Sequence, residues 1–153
     1  AIILPIGNSD YWPFPSGARL DYSIPAGYDS RVGVFHTPCK IENVVDRRRV
    51  AVVTRLLVDT GSEFSWIPET TLEKIGVIRE KKDIPFIMAN GQQITRSVGF
   101  AVIRLDKNFT VDEVVFAEKG DLLLLGARTL EGLNLHVDSA RKRLVAAGPL
   151  PAA

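Results

Sequence analysis

From residue 32 onward the chain reads as short apolar runs broken by turn residues at intervals too close for long helices. The runs "VGVFHTPCKIENVV" and "VAVVTRLLV" are rich in β-branched residues and flank Asp46 to Arg49, which predicts a hairpin. In "IPFIMANGQQITRSVGFAVIRL" the pair Asn90-Gly91, a strong short hairpin signal, lies between two strand-like arms. "FTVDEVVFAE" is a further strand-like run, followed by the dense apolar run "LLLL" at 122–125, and a last hairpin is expected around Ser139 to Arg143. Two stretches carry a helical pattern instead. In "WIPETTLEKIG", Pro68 suits a first helical position, Leu72 and Ile75 share a face, and Gly76 is placed to end the helix. "ARTLEGL" is a second short helical piece. No helix longer than about three turns is predicted, so the expected class is all-β with one or two short helices. There is no long internal repeat of the kind that marks a solenoid.

Residues 1–31 break this texture. Pro5, Pro13, Pro15 and Pro25 are scattered among glycine, serine and aromatics with neither helical nor strand period. We read 1–31 as an extended Pro-rich arm and 32–150 as the folded domain. With Ile2, Ile3, Leu4, Tyr11, Trp12, Phe14 and Tyr22 the arm is too apolar for a free linker and is expected to lie against some surface.

Composition narrows the function classes. The 153 residues are 46% hydrophobic and 24% charged, with a net charge of +1, enough apolar material for a sizeable core. No nucleic acid partner is implied: the one basic cluster, Arg47 to Arg49, sits where the first hairpin turns. No apolar run approaches the roughly 20 residues of a membrane span, so no membrane partner is expected. The opening "AIILPIG" is short, lacks a basic leader and is cut by Pro5, so it is not read as a signal peptide. Cys39 is the sole cysteine, and with His36 and His136 far apart there is no metal-ligand spacing; neither cofactor nor metal is expected. Strand alternation puts His36 and Cys39 on opposite faces, which leaves Cys39 a half-buried thiol rather than a nucleophile. The lone cysteine and the lack of an export signal favour the cytoplasm.

The chemistry is concentrated in "LLVDTGSEFSW", residues 56–66, where a buried-looking strand delivers a carboxylate at its end. One carboxylate resists ionising among apolar neighbours. Two that share a proton supply an acid and a base together, because like charges about 3 Å apart cannot both ionise. Such a pair can take a proton from water and give one to a peptide carbonyl, with no metal and no covalent intermediate. The acid must sit in a tight turn. Thr60 can hydrogen-bond locally, Gly61 permits close backbone approach, and Ser62 can donate a hydroxyl.

This sequence resembles the retropepsin-like aspartic proteases, the small retroviral-type enzymes also found in cellular genomes. The resemblance spans roughly residues 33 to 147, in family order: a first hairpin, "LLVDTGS" from Leu56 to Ser62, a flap-like hairpin, "LLLLGA" ending its apolar-apolar-Gly signature at Gly126, a short helix, and a closing strand at Leu144 to Ala147. It implies a closed retropepsin-like (acid protease) barrel with one half-site per chain. Asp59 is then the catalytic carboxylate, and Thr60 bonds across a two-fold axis to the partner chain. Gly61 and Ser62 orient the acid, and Leu124, Leu125 and Gly126 brace its turn. Ala89, Asn90, Gly91 and Gln92 form the flap tip over the substrate. The hairpin reads "MANGQQ" rather than glycine-rich, and Ala127 stands between "LLG" and Arg128 where relatives often carry arginine at once.

A second Asp-Thr/Ser-Gly is absent, since Asp138-Ser139-Ala140 lacks the glycine. The dyad therefore implies a homodimer with its site on the axis, and a peptide or protein as substrate. The expected function is an aspartic endopeptidase; the alternative is a non-catalytic dimeric module that binds peptides with the same fold. For the arm, three roles are open: a precursor remnant, a strand of the dimer sheet, or the occupant of a cleft. Trp66 is read as packing rather than substrate-binding.

Overall fold

The computed structural model describes residues 2–3 and 34–152. The arm expected at residues 1–31 therefore lies largely outside the described residues; within it, only β1 (Ile2–Ile3) is described, paired antiparallel with β3. The elements that follow are β2 (His36–Asn43), β3 (Val50–Asp59), β4 (Ser65–Pro68), α1 (Glu69–Lys74), β5 (Lys81–Ile87), β6 (Gln93–Leu105) and β7 (Asn108–Ala117). They are completed by β8 (Leu124–Gly126), α2 (Ala127–Gly132), β9 (Leu135–Asp138) and β10 (Arg143–Ala146).

Six strands close a barrel in the order β3-β2-β6-β7-β4-β8, with β8 returning to β3. β5 extends β6 outside this ring, and β9–β10 forms a separate two-stranded sheet. The barrel is filled by the alternating residues the pattern marks as apolar: Cys39 and Ile41 of β2, Ala51 and Val53 of β3, Ala101 and Ile103 of β6, Val114 and Phe116 of β7. Leu72 of α1 with Ile75 at its C-cap, and Leu130 of α2 with Leu133 at its C-cap, plug the same core. The shared face predicted for Leu72 and Ile75 is the buried one.

α1 shows how local chemistry sets an element's end. Pro68 stands one place earlier than expected, as the cap rather than the first helical residue, with φ −51°. At the other end Gly76 takes φ +76°, its N–H donates to the Glu73 carbonyl (3.0 Å), and Val77 N–H donates to Leu72 O (2.9 Å). This paired closure satisfies the last carbonyls and folds Val77 onto Leu72 in the core.

Parallel pairs hold the closure. β3 pairs parallel with β8 through Leu57–Leu124, Val58–Leu125 and Asp59–Gly126. β4 pairs parallel with β7 through Trp66–Val115, Ile67–Phe116 and Pro68–Ala117. The two sets exchange under one internal two-fold, which takes Val58 to Phe116 and Leu125 to Ile67, and passes through the antiparallel pair Asn43–Ala101. It also takes Thr71-Leu72-Glu73 of α1 to Thr129-Leu130-Glu131 of α2. Each half is thus a long strand, a turn, a short strand and a short helix, and each half's short strand completes the other half's long one.

Candidate active site

Asp59 is the last residue of β3, half-buried, with Thr60 and Gly61 exposed beyond it. The turn folds back at once. Gly61 N–H donates to Asp59 Oδ1 at 2.9 Å, and Ser62 N–H to the Asp59 carbonyl at 3.2 Å. A Cβ on Gly61 would stand 3.2 Å from that same carboxylate oxygen, so glycine is what lets the backbone come close enough to donate. Ser62 acts differently from the sequence expectation: its hydroxyl donates to Phe64 O at 2.8 Å and so stabilises the return of the turn rather than the acid.

The stretch 124–128 backs this turn. Leu124, Leu125 and Gly126 are buried, and Gly126 lies opposite Asp59 in the parallel pair. Ala127 N–H donates to Ser62 O (2.8 Å) and Arg128 N–H to Glu63 O (3.2 Å), so the first amides of α2 close onto the carbonyls after the acid. Gly126 has φ −90° and ψ 173°, which any residue adopts. Its requirement is steric: a Cβ there would collide with the Phe64 carbonyl oxygen and lie 2.6 Å from Phe64 C.

Residues 89–92 form the tip of the β5–β6 hairpin and are exposed. A two-residue turn of the kind favoured by Asn-Gly needs positive φ at both residues, but only Gly91 has it, at +83°. The loop is instead three residues long: Met88 N–H donates to Gln92 O (2.8 Å), Gly91 N–H to Met88 O (2.8 Å), and Asn90 Oδ1 accepts Gln92 N–H (2.9 Å). The base of the hairpin reaches the segment after Asp59 through aromatic rings. Phe86 meets Trp66 edge-on at 5.2 Å and Phe64 at 5.6 Å, within a cluster that also holds Leu124, Leu57, Met88 and Ile94. Trp66 is accordingly a packing residue, 5% exposed.

The hairpin is also tied to the turn that the internal two-fold relates to Asp59's. That turn opens on Ala117, and its Asp121 is occupied: Arg96 of β6 makes two bonds to it, at 2.7 and 2.8 Å. The Arg96 guanidinium holds the Asp121 carboxyl below the usual carboxylate range.

Sequence reading missed a set of polar residues behind the Asp59 turn, Ser65, Thr129 and Asp112. Ser65 Oγ accepts Gly126 N–H at 2.9 Å and lies 2.6 Å from Thr129 Oγ1, which donates to Asp112 Oδ2 at 2.8 Å. Nothing local marks them; the repeated Thr-Leu-Glu of α1 and α2 is the one signal that singles out Thr129. Elsewhere, Cys39 is fully buried rather than half-buried, and burial pushes its thiol well up. Arg48 remains at the solvated hairpin turn as expected, while Arg47 is drawn to the buried Glu42 at 2.6 Å. Among the described residues no group of three or more His, Cys, Asp or Glu is gathered as a metal site. No helix among them is long and apolar enough to cross a membrane.

The closed six-strand barrel with two short helices is that of the retropepsin-like fold, with Asp59 at the end of β3 beside the Leu-Leu-Gly strand β8. The model of the family described as gag-polyprotein putative aspartyl protease matches residues 50–132, from the start of β3 to the end of α2. The chain belongs to that family. No curated protein matches it.

Proposed function

We propose that this protein is an aspartic endopeptidase whose active site forms on the two-fold axis of a homodimer, each chain contributing Asp59. The observation that supports this best is the locked turn: a half-buried carboxylate fixed between the Gly61 amide and the Gly126 strand. Among the described residues there is one such turn, since the internally related one opens on Ala117, so in this reading the second acid comes from a second chain.

In this reading the two Asp59 carboxylates share one proton. One takes a proton from water as it attacks the scissile carbonyl carbon, and the other protonates the carbonyl oxygen, giving a neutral tetrahedral diol that collapses to acid and amine. Thr60 bonds across the axis, Ser62 holds the return of the turn, and Leu124, Leu125 and Gly126 brace it. Ala89, Asn90, Gly91 and Gln92 close over the peptide and exclude water. The apolar rings beneath the hairpin favour apolar side chains beside the scissile bond. Residues 32–150 are the protease domain and 1–31 its arm.

The test is cleavage of a mixed peptide library across pH by wild type and Asp59→Asn, with the dimer fraction of each measured at assay concentration. We expect cleavage by wild type alone, a bell-shaped pH profile, and equal dimer fractions. Two dimeric proteins that both leave the library intact would overturn the protease and favour a peptide-binding module.

A further inference from the structure

The hydroxyl chain behind the turn has a direction that proton counting fixes. Thr129 gives its single O–H to Asp112 Oδ2. Thr129 must then accept from Ser65, and Ser65, having given its own proton, accepts the N–H of Gly126. All the bonds point one way, from a backbone amide in β8 to a carboxylate on β7, and each polarises the next. Ser65 and Thr129 are both 0% exposed, so no water competes for these bonds. Asp112 is itself anchored: its Oδ1 accepts Glu113 N–H at 2.8 Å and lies 3.9 Å from the Arg128 guanidinium, which stacks 5.0 Å over the Phe64 ring.

The chain touches both ends of the active-site turn. Gly126 is the strand partner of Asp59, where the turn begins, and Ser65 is the residue where it ends. Between them the amides of Ala127 and Arg128 hold the carbonyls of Ser62 and Glu63. We propose that Thr129, acting with Asp112 and Ser65, is a positioning residue: the aligned relay fixes Gly126 and Ser65, and so sets where the Asp59 carboxylate points toward its partner. This rests on the protease reading. Thr129 touches neither substrate nor acid, and its effect passes through the turn.

The test compares wild type, Thr129→Val and Thr129→Ser, with Ser65→Ala as a milder variant should the valine chain fold poorly. Two readouts are taken: cleavage kinetics with the dimer fraction controlled, and the Gly126 amide proton shift by NMR. We expect Thr129→Val to lower kcat roughly tenfold or more with KM within about twofold, because a misplaced acid acts on the transition state rather than on binding. The Gly126 amide should move upfield in Thr129→Val and Ser65→Ala, and Thr129→Ser should restore both kcat and shift. A Thr129→Val chain that melts lower yet keeps wild-type kcat and an unmoved Gly126 amide overturns the proposal, as does failure of Thr129→Ser to rescue. Wild type that cleaves nothing overturns the protease reading and the catalytic half of this one. The amide shift, read in the Asp59→Asn background as well, then still decides whether the relay holds the turn.

Discussion

One added methyl group at position 126 probes the turn after Asp59 more directly than removal of any side chain. Gly126 has an ordinary extended backbone, so alanine there carries no conformational penalty, and whatever it costs is steric. Its Cβ would be driven against the Phe64 carbonyl oxygen, with Phe64 C at 2.6 Å and Glu63 O at 2.9 Å. All are backbone atoms of the segment that follows Asp59, so no side chain can swing aside. Overpacking of this kind costs about 1–3 kcal/mol, which lowers the melting temperature by roughly 2–12 °C for a domain of this size. Relief requires the turn to retreat by several tenths of an ångström or more. Because a misplacement of about 1 Å at a reacting group can cost on the order of 100-fold in rate, activity should fall further than stability does. The assay is thermal denaturation beside peptide cleavage at a temperature where both proteins are folded and dimeric. Gly126→Ala that melts and cleaves like wild type would refute the close-packed turn, and a loss of stability without loss of activity would refute its link to Asp59.

Three further outcomes are expected. The Arg96 bonds depress the folded-state value of Asp121, so its contribution is full above the ordinary carboxylate range and is lost as pH falls through the depressed value. Asp121→Asn should therefore cost about 1–3 kcal/mol at neutral pH and progressively less in acid; denaturant melts showing a gap that persists undiminished to pH 2 would refute this. Gly76→Ala should cost about 1–2 kcal/mol for its positive φ, plus a collision with the Arg49 guanidinium, whose Cζ lies 2.7 Å from the added carbon. Melts of the Gly76→Ala/Arg49→Ala double variant should recover the second part only, and complete recovery would count against the backbone argument. Finally, Cys39 is fully buried with its thiol pushed up, so iodoacetamide should label it only as the protein opens. Rapid labelling of the native protein at neutral pH would contradict that.

The strands and the acid were legible because their signals are local. Alternation marks β2, β3, β6 and β7, Gly76 announces the end of α1, and "DTGS" after an apolar run places Asp59 where the structure has it. What stayed hidden depends on distance or on a choice between near-equal local forms. Asn90-Gly91 fits a two-residue turn as well as the three-residue loop, and the difference lies in one φ angle at Asn90. The Thr37/Cys39 irregularity in β2 shifts the strand's register, which simple alternation cannot foresee, and Cys39 ends fully buried. Ser65, Thr129 and Asp112 are ordinary polar residues in three separate elements, and only the parallel pairings of the closed barrel bring them into line.

Those pairings also bear on when the acid becomes competent during synthesis. Asp59 leaves the ribosome long before Gly126, and a contact between residues so far apart forms only after a large loop has closed. The β2–β3 and β6–β7 hairpins, with partners close in sequence, carry no such delay. A nascent chain ending before β8 therefore displays its aspartate on a turn with nothing behind it. On the protease reading, latency needs no separate inhibitor: the growing polypeptide stays inactive until β8 has been made and has closed the barrel.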